Sequence, residues 1–163
     1  INLSFHFNST LGFAEIYLNG KNVDDEIRNL EVSNFVSRIA EVPDVRIKLV
    51  EQQQEMGKNK GVVMDGRDIG TVVFPNAELK FFMNASANKR AQRRFEELTK
   101  KGEKVTFNEI LENVQSRDHI DSTRADSPLL MANDAIEIDN SNLTLVEQFD
   151  KIYTIVKTKI DSL

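Results

Sequence analysis

Two carboxylates and an arginine crowd into Asp65-Gly66-Arg67-Asp68, just after the apolar run Val62 to Met64 and just before Gly70-Thr71. An apolar strand that ends in charges and glycines describes an active-site edge in an open α/β sheet, because ligands collect at the carboxyl ends of the strands. The same residues describe a β-turn, since Asp-Gly is a common hairpin signal, although a turn needs neither Arg67 nor Asp68. A second group is Arg117, Asp121 and Arg124, spaced i, i+4 and i+7. The three share a face if one helix runs through them. That face is either a binding surface or an intrahelical ion-pair ladder. Seven of the nine arginines fall between Arg46 and Arg124. Arginine suits planar, bidentate recognition of phosphate and carboxylate. The alternative is a solvated helix surface, which lysine would serve as well.

The background composition narrows the class. The chain has 163 residues, enough for one domain with a core and room for a small inserted subdomain. Hydrophobic residues make up 40% and charged residues 29%, which is ordinary for a soluble globular protein. Without cysteine there are no disulfides and no thiolate metal ligands. His6 and His119 are far apart and belong to no metal-ligand cluster. A net charge of −5, no tryptophan and two tyrosines argue against a nucleic-acid binder. No apolar run is long enough to span a bilayer and no signal peptide opens the chain, so no membrane partner and a cytoplasmic location are expected.

The elements that must position these residues follow from hydrophobic period. Leu3, Phe5 and Phe7 alternate with polar residues, as do Ala14, Ile16 and Leu18. Asn19-Gly20 signals a hairpin, and Val23 is expected to start a third strand. Such a small antiparallel meander must pack on something. Val32, Phe35, Val36, Ile39 and Ala40 mark one face of a helix that Val42-Pro43 breaks. Pro43 then opens a helix to about Met56, with Val45, Leu49 and Val50 inward. The run Val62 to Met64 predicts a buried strand, Leu79 to Met83 a second and Ala135 to Asp139 a third. Ser86 is placed to cap a helix holding Arg90, Arg93 and Arg94 and ending near Gly102. Thr106 to Glu109 and Thr144 to Glu147 are capping-box patterns. The first opens a helix with Phe107, Ile110, Leu111 and Val114 inward, which Asp126-Ser127-Pro128 stops. The second opens one with Val146, Phe149, Tyr153, Val156 and Ile160 at helical spacing. From Gly61 onward this is an α/β layout. Three strands are few for a parallel sheet covered on both faces, so either the sheet is small or part of it lies outside these residues.

Asp65-Gly66-Arg67-Asp68-Ile69-Gly70-Thr71-Val72-Val73-Phe74-Pro75 resembles the signature of the bacterial cytidylate kinases. The resemblance extends to Ser37-Arg38-Ile39-Ala40, Val42-Pro43-Asp44-Val45-Arg46, Arg90-Ala91-Gln92-Arg93-Arg94, Arg117 to Arg124, and Ile138-Asp139-Asn140-Ser141. It covers nearly the whole chain in unbroken order. It implies a P-loop nucleoside-monophosphate-kinase-like parallel sheet flanked by helices. Residues 1–56 would form the monophosphate-binding region, including the small antiparallel insert of the long bacterial form. Residues 57–163 would form the core, with a helical lid at about 90–124. The family opens with a strand and a Walker A loop, G-x-x-x-x-G-K-[ST], and these residues contain no such motif. They therefore resemble the carboxy-terminal two-thirds to three-quarters of a family member. Full-length members are monomers, whereas this stretch alone is expected to swap or associate.

The resemblance implies transfer of the γ-phosphoryl of ATP to CMP or dCMP, with Mg²⁺. A stretch that binds CMP and transfers nothing is the alternative. Asp68 would accept from the cytosine amino group, with Ser37 and Arg46 supplying polar contacts. Arg67 would hold the CMP phosphate. Arg117, Asp121 and Arg124 would contact ribose and phosphate, with Arg67, Arg117 and Arg124 neutralising the transferring group. Arg93 and Arg94 would close over ATP as lid residues. Asp65 would meet Mg²⁺ indirectly, and Gly66 and Gly70 would permit close turns between these groups. The loop Asp139 to Leu143 would lie near adenine.

Overall fold

A computed structural model describes residues 2–162 as a mixed α/β chain of two compact units, one ending at Ser37 and the other beginning at Arg38.

The first unit is the expected meander. Strand β1 (Leu3–Asn8) pairs antiparallel with β2 (Phe13–Leu18), which pairs with β3 (Lys21–Asn22). The register sets Leu3, Phe5 and Phe7 opposite Leu18, Ile16 and Ala14, so the alternation forms one apolar face. Asn19 and Gly20 have φ of 51° and 83°, the two positive values that a type I′ turn demands. Val23 does not start the third strand. It lies just past β3, its N–H still bonded to Ile16 O at 2.9 Å, and the chain then coils into the 3₁₀ turn Glu26–Arg28. Tyr17 on β2 meets the His6 ring edge-on, with centroids 4.7 Å apart.

Helix α1 (Leu30–Ile39) begins where Asn29 Oδ1 accepts the Val32 N–H at 2.8 Å. The face expected inward is not the buried one. Phe35, Val36 and Ile39 are exposed, while Ser33 and Ser37 are buried. Helical period groups residues on a face, but it does not say which face the rest of the chain covers.

In the second unit, α2 (Pro43–Met56) starts at its proline as expected. Its apolar side is only partly covered: Val45 and Val50 are half-buried and Leu49 is exposed. The strand predicted at Val62 to Met64 is absent; the segment is irregular and Val63 is fully exposed. A strand exists through its neighbour's hydrogen-bond ladder, and no described residues run beside this one to supply it. The parallel sheet therefore has two strands, β4 (Phe81–Asn84) and β5 (Ile136–Asp139), aligned Phe81↔Ile136 to Asn84↔Asp139. Between Asp68 and Phe74 the chain makes one π-type turn, Ile69–Val73, which the sequence did not suggest.

Helices α3 (Ala87–Lys100) and α4 (Phe107–Thr123) form a hairpin between the two strands. Ser86 caps α3 by accepting from Lys89 N at 3.3 Å. Gly102, at φ 84°, turns the chain after α3 as its position predicted. The Thr106–Glu109 and Thr144–Glu147 capping boxes both form, opening α4 and α5 (Leu145–Asp161). The core centres on Leu98, Ile110 and Ile138, all fully buried, each contributing about 1.5–3 kcal/mol. On α5 the periodic face is again mostly uncovered: Val146, Phe149, Tyr153 and Ile160 are exposed, with the Phe149 and Tyr153 rings stacked at 5.8 Å.

Candidate nucleotide site

Three supports within the second unit bring the candidate residues together. Helix α2 presents Arg46 near its first turn. The segment leading into the π-type turn carries Arg67 and Asp68. The end of α4 carries Arg117 and Asp121, with Arg124 one residue past it.

Asp68 is buried and forms an ion pair with Arg46, whose side chain is also largely covered. Its backbone carbonyl gathers the N–H groups of Thr71, Val72 and Val73 at 3.3, 2.8 and 3.2 Å. Both ends of the residue are thus held. The turn is seated on α2: Gln54 Nε2 donates to the Val72 and Val73 carbonyls at 3.5 and 3.4 Å. Beside it the Phe74 ring lies where a Cβ on Gly57 would stand, 2.4 Å away, so only glycine fits there. Gly66 and Gly70 have no left-handed φ. They serve close approach instead, since a Cβ would stand 2.9 Å from Ile69 Cγ1 and 3.3 Å from Lys80 Cδ respectively.

Asp121 is buried at the end of α4. It accepts from Arg67 Nε at 3.1 Å and from Arg124 Nη1 at 3.4 Å. The α4 helix does not extend to Arg124, as a common face over i, i+4 and i+7 would require. It ends at Thr123, and Arg124 takes an extended conformation with φ −61° and ψ 148°. The reason is local: the Arg124 guanidinium folds back onto the Ser127 carbonyl at 2.8 and 2.5 Å, while Leu129 N–H reaches the Asp121 carbonyl at 2.6 Å. The arrangement is a buried, non-local cluster and not a solvated ladder.

The guanidiniums of Arg46, Arg67, Arg117 and Arg124 gather about the carboxylates of Asp68 and Asp121, and Asp118 also acts on Arg117. Burial, and then repulsion from Arg67, lower the Arg117 pKa, with Asp121 opposing. Burial, and then repulsion from Arg46, lower that of Arg124. Burial is the larger cause in both, and neighbouring guanidiniums add to it. A partly desolvated set of arginines is a site for a bound anion.

The remaining candidates are placed differently. Arg93 donates to Asn140 Oδ1 at 3.0 Å and to Asn140 O at 2.6 Å, tying α3 to the loop after β5. Arg94 pairs with Glu97 at 2.8 Å along the same helix. Asp65 is exposed on the irregular segment, and the described residues contain no group of three metal-ligating side chains. Ser37, in the first unit, is buried, and its hydroxyl has no hydrogen-bond partner among the described residues.

Some contributors were not evident beforehand. Arg90 grips Asp118 with two bonds at 2.7 and 2.6 Å, joining α3 to α4. Lys80 is buried behind the π-type turn. Its signal was a lone charge inside the apolar run Leu79 to Met83.

Comparison with known proteins is decisive about the family. The cytidylate kinase family model matches residues 1–158. This chain belongs to the cytidylate kinase family. The cytidylate kinase of Flavobacterium johnsoniae is 65% identical over 163 residues, covering 99% of this chain and 71% of that protein. That of Flavobacterium psychrophilum is 63% identical over 156 residues, covering 96% and 69%. That of Bacteroides fragilis is 58% identical over 148 residues, covering 91% and 65%. A kinase of this family needs a place for a nucleotide phosphate, and the arginine cluster has the charge for one. No described helix is long and apolar enough to cross a membrane.

Proposed function

We propose that this cytidylate kinase family member transfers the γ-phosphoryl of ATP to CMP or dCMP, on a P-loop nucleoside-monophosphate-kinase-like fold. The acceptor nucleotide occupies the cluster around Asp68 and Asp121. Residues 1–56 serve as the monophosphate side and 57–163 as the core with its lid. The observation that carries this reading is the convergence of Arg46, Arg67, Arg117 and Arg124 on the buried carboxylates of Asp68 and Asp121.

Phosphoryl transfer asks little covalent chemistry of a protein; it asks for in-line positioning and cancellation of phosphate charge. Arg67, Arg117 and Arg124 supply donors for the CMP phosphate and the transferring group. Asp121 aims two of them, Arg67 and Arg124, and has lone pairs left for a ribose hydroxyl. Asp68 keeps acceptor capacity beyond its pair with Arg46 and takes the cytosine amino group. Uracil would set a carbonyl against that carboxylate and leave both acceptors unpaired. A correct polar pair discriminates between bases by about 1–3 kcal/mol. Ser37 enters on the family resemblance, as do Arg93 and Arg94 as lid contacts to ATP.

Magnesium is held by one or two carboxylates together with substrate phosphates, and the exposed Asp65 fits such a sparse donor set. When bound, Mg²⁺ would neutralise charge on the substrate phosphates.

Calorimetric titration of the full-length protein with CMP, UMP and AMP, followed by a coupled assay of ADP release, tests this reading. Selective CMP binding and CMP-dependent ADP release are expected. Equal binding of all three nucleotides would remove the acceptor assignment, and selective binding without ADP release would remove phosphoryl transfer.

A further inference from the structure

Lysine is rarely buried, because removing an ammonium from water costs several kcal/mol unless it is paired and hydrogen-bonded. Lys80 is only 8% exposed. Its Nζ donates to the Pro75 carbonyl at 2.5 Å and to Asp134 Oδ1 at 2.8 Å. Its stem is equally committed. A Cβ on Gly70 would lie 3.3 Å from Lys80 Cδ and 3.7 Å from Cγ, with Ala132 Cβ 3.9 Å away. The π-type turn, Pro75 just after it and the loop before β5 therefore converge on one side chain, that of the residue preceding β4.

This turn carries the acceptor-side residues. Asp68 stands at its start, with its carbonyl taking three of the turn's N–H groups. Gly70 lies within it, against the Lys80 stem. Pro75 follows its end, under the Lys80 ammonium. Arg46, the partner of Asp68, rides on α2 and not on the turn. Any slip of the turn changes the geometry between the two charges, and misplacement by about 1 Å can cost a factor of 10² in an oriented site. A residue serving only as an apolar plug would need no ammonium. Here two acceptors from different segments require one.

We propose that Lys80 is a positioning residue for acceptor recognition, fastening the Ile69–Val73 turn so that Asp68 and Arg67 meet the nucleotide in register. The proposal rests on the reading of those two residues as substrate contacts.

The test compares Lys80→Met with Lys80→Cys alkylated by bromoethylamine, which restores an ammonium at nearly the original length. The 163 residues contain no other cysteine to be modified. Affinities for CMP and UMP are measured by calorimetry, at a temperature where circular dichroism shows each variant folded. Lys80→Met is expected to weaken CMP by about 10- to 100-fold and to narrow the CMP-to-UMP ratio, with recovery in the aminoethylated protein. A general loosening would lower both nucleotides equally. Equal loss, an unchanged ratio, or no recovery with the restored ammonium overturns the proposal. If Lys80→Met does not fold, Gly70→Ala presses on the stem while keeping the charge. It is expected to narrow the same ratio, and an unchanged ratio there overturns the proposal too. Absence of CMP preference in the unsubstituted protein would overturn the substrate assignment itself, which separates that failure from one confined to the Lys80 variants.

Discussion

Asp121 takes the Nε–H of Arg67 at 3.1 Å, although 54 positions separate them in the chain. With Arg124 on its other oxygen, the carboxylate holds two cations in a largely buried place. Removing one member of a buried charge pair leaves the other uncompensated. Asp121→Ala is expected to cost about 3 kcal/mol, with Asp121→Asn costing less because its carbonyl still accepts. Urea unfolding of the three proteins checks this. A loss under about 0.5 kcal/mol for the alanine variant, the size of an ordinary surface change, would mean the cluster does not lean on Asp121.

Asp68 stands against Arg46 and bears on base choice. Asp68→Ala should weaken CMP and lower its advantage over UMP by a factor of about 10 to 100, the worth of one well-placed polar pair. Competition titration of both nucleotides reads the ratio directly, and a ratio unaltered from the parent protein would take Asp68 out of the base site.

The bonds from Arg93 to Asn140 lie at the surface. Arg93→Ala is therefore expected to change stability by no more than about 1 kcal/mol. If Arg93 contacts ATP, the same change raises the KM for ATP several-fold while the KM for CMP stays put. Steady-state kinetics with each substrate varied in turn distinguishes the two. Equal rises in both would point to a disturbed lid instead of a lost ATP contact.

Two exposed glutamates predict how the helices respond to acid. Hydrogen bonds from the Thr106 hydroxyl and backbone N–H hold the Glu109 carboxyl below its ordinary 4.5. The backbone N–H and then the hydroxyl of Thr144 do the same for Glu147. A carboxyl whose folded pKa is depressed adds stability above its unfolded value, and that contribution is lost as pH falls through the folded value. Both contributions are present above pH 4.5 and are lost progressively as the pH falls below it through the depressed folded values. Glu109→Gln and Glu147→Gln should flatten that part of the acid dependence of the urea midpoint. An acid limb as steep as the parent's would show that neither box contributes.

These capping boxes were legible beforehand because every atom in them lies within four residues. The same holds for Asn19-Gly20 and for the proline start of α2. Family resemblance brought Arg46, Asp68, Asp121 and Arg124 onto one page, and the fold sets them at one focus. What escaped were mostly features decided from afar. Val62 to Met64 has a strand's composition, yet pairing depends on a neighbour and not on composition. The π-type turn after Asp68 is shaped by Lys80 and Gln54, neither of which local pattern connects to it. Arg124 leaves the helix for the Ser127 carbonyl, a local bond that the i, i+4, i+7 spacing of charges does not reveal. Ser37 and Ser33 replace Phe35 and Val36 as the covered side of α1, a choice that periodicity leaves open.

The division into two compact units gives the chain an optical asymmetry. There is no tryptophan, and the two tyrosines fall one to each unit, Tyr17 beside His6 and Tyr153 stacked on Phe149. Near-ultraviolet emission from these residues therefore comes from two addresses. Tyr153→Phe leaves Tyr17 to report on the strand meander alone, and Tyr17→Phe leaves Tyr153 to report on the last helix. The order in which the units melt can thus be followed without attaching a dye.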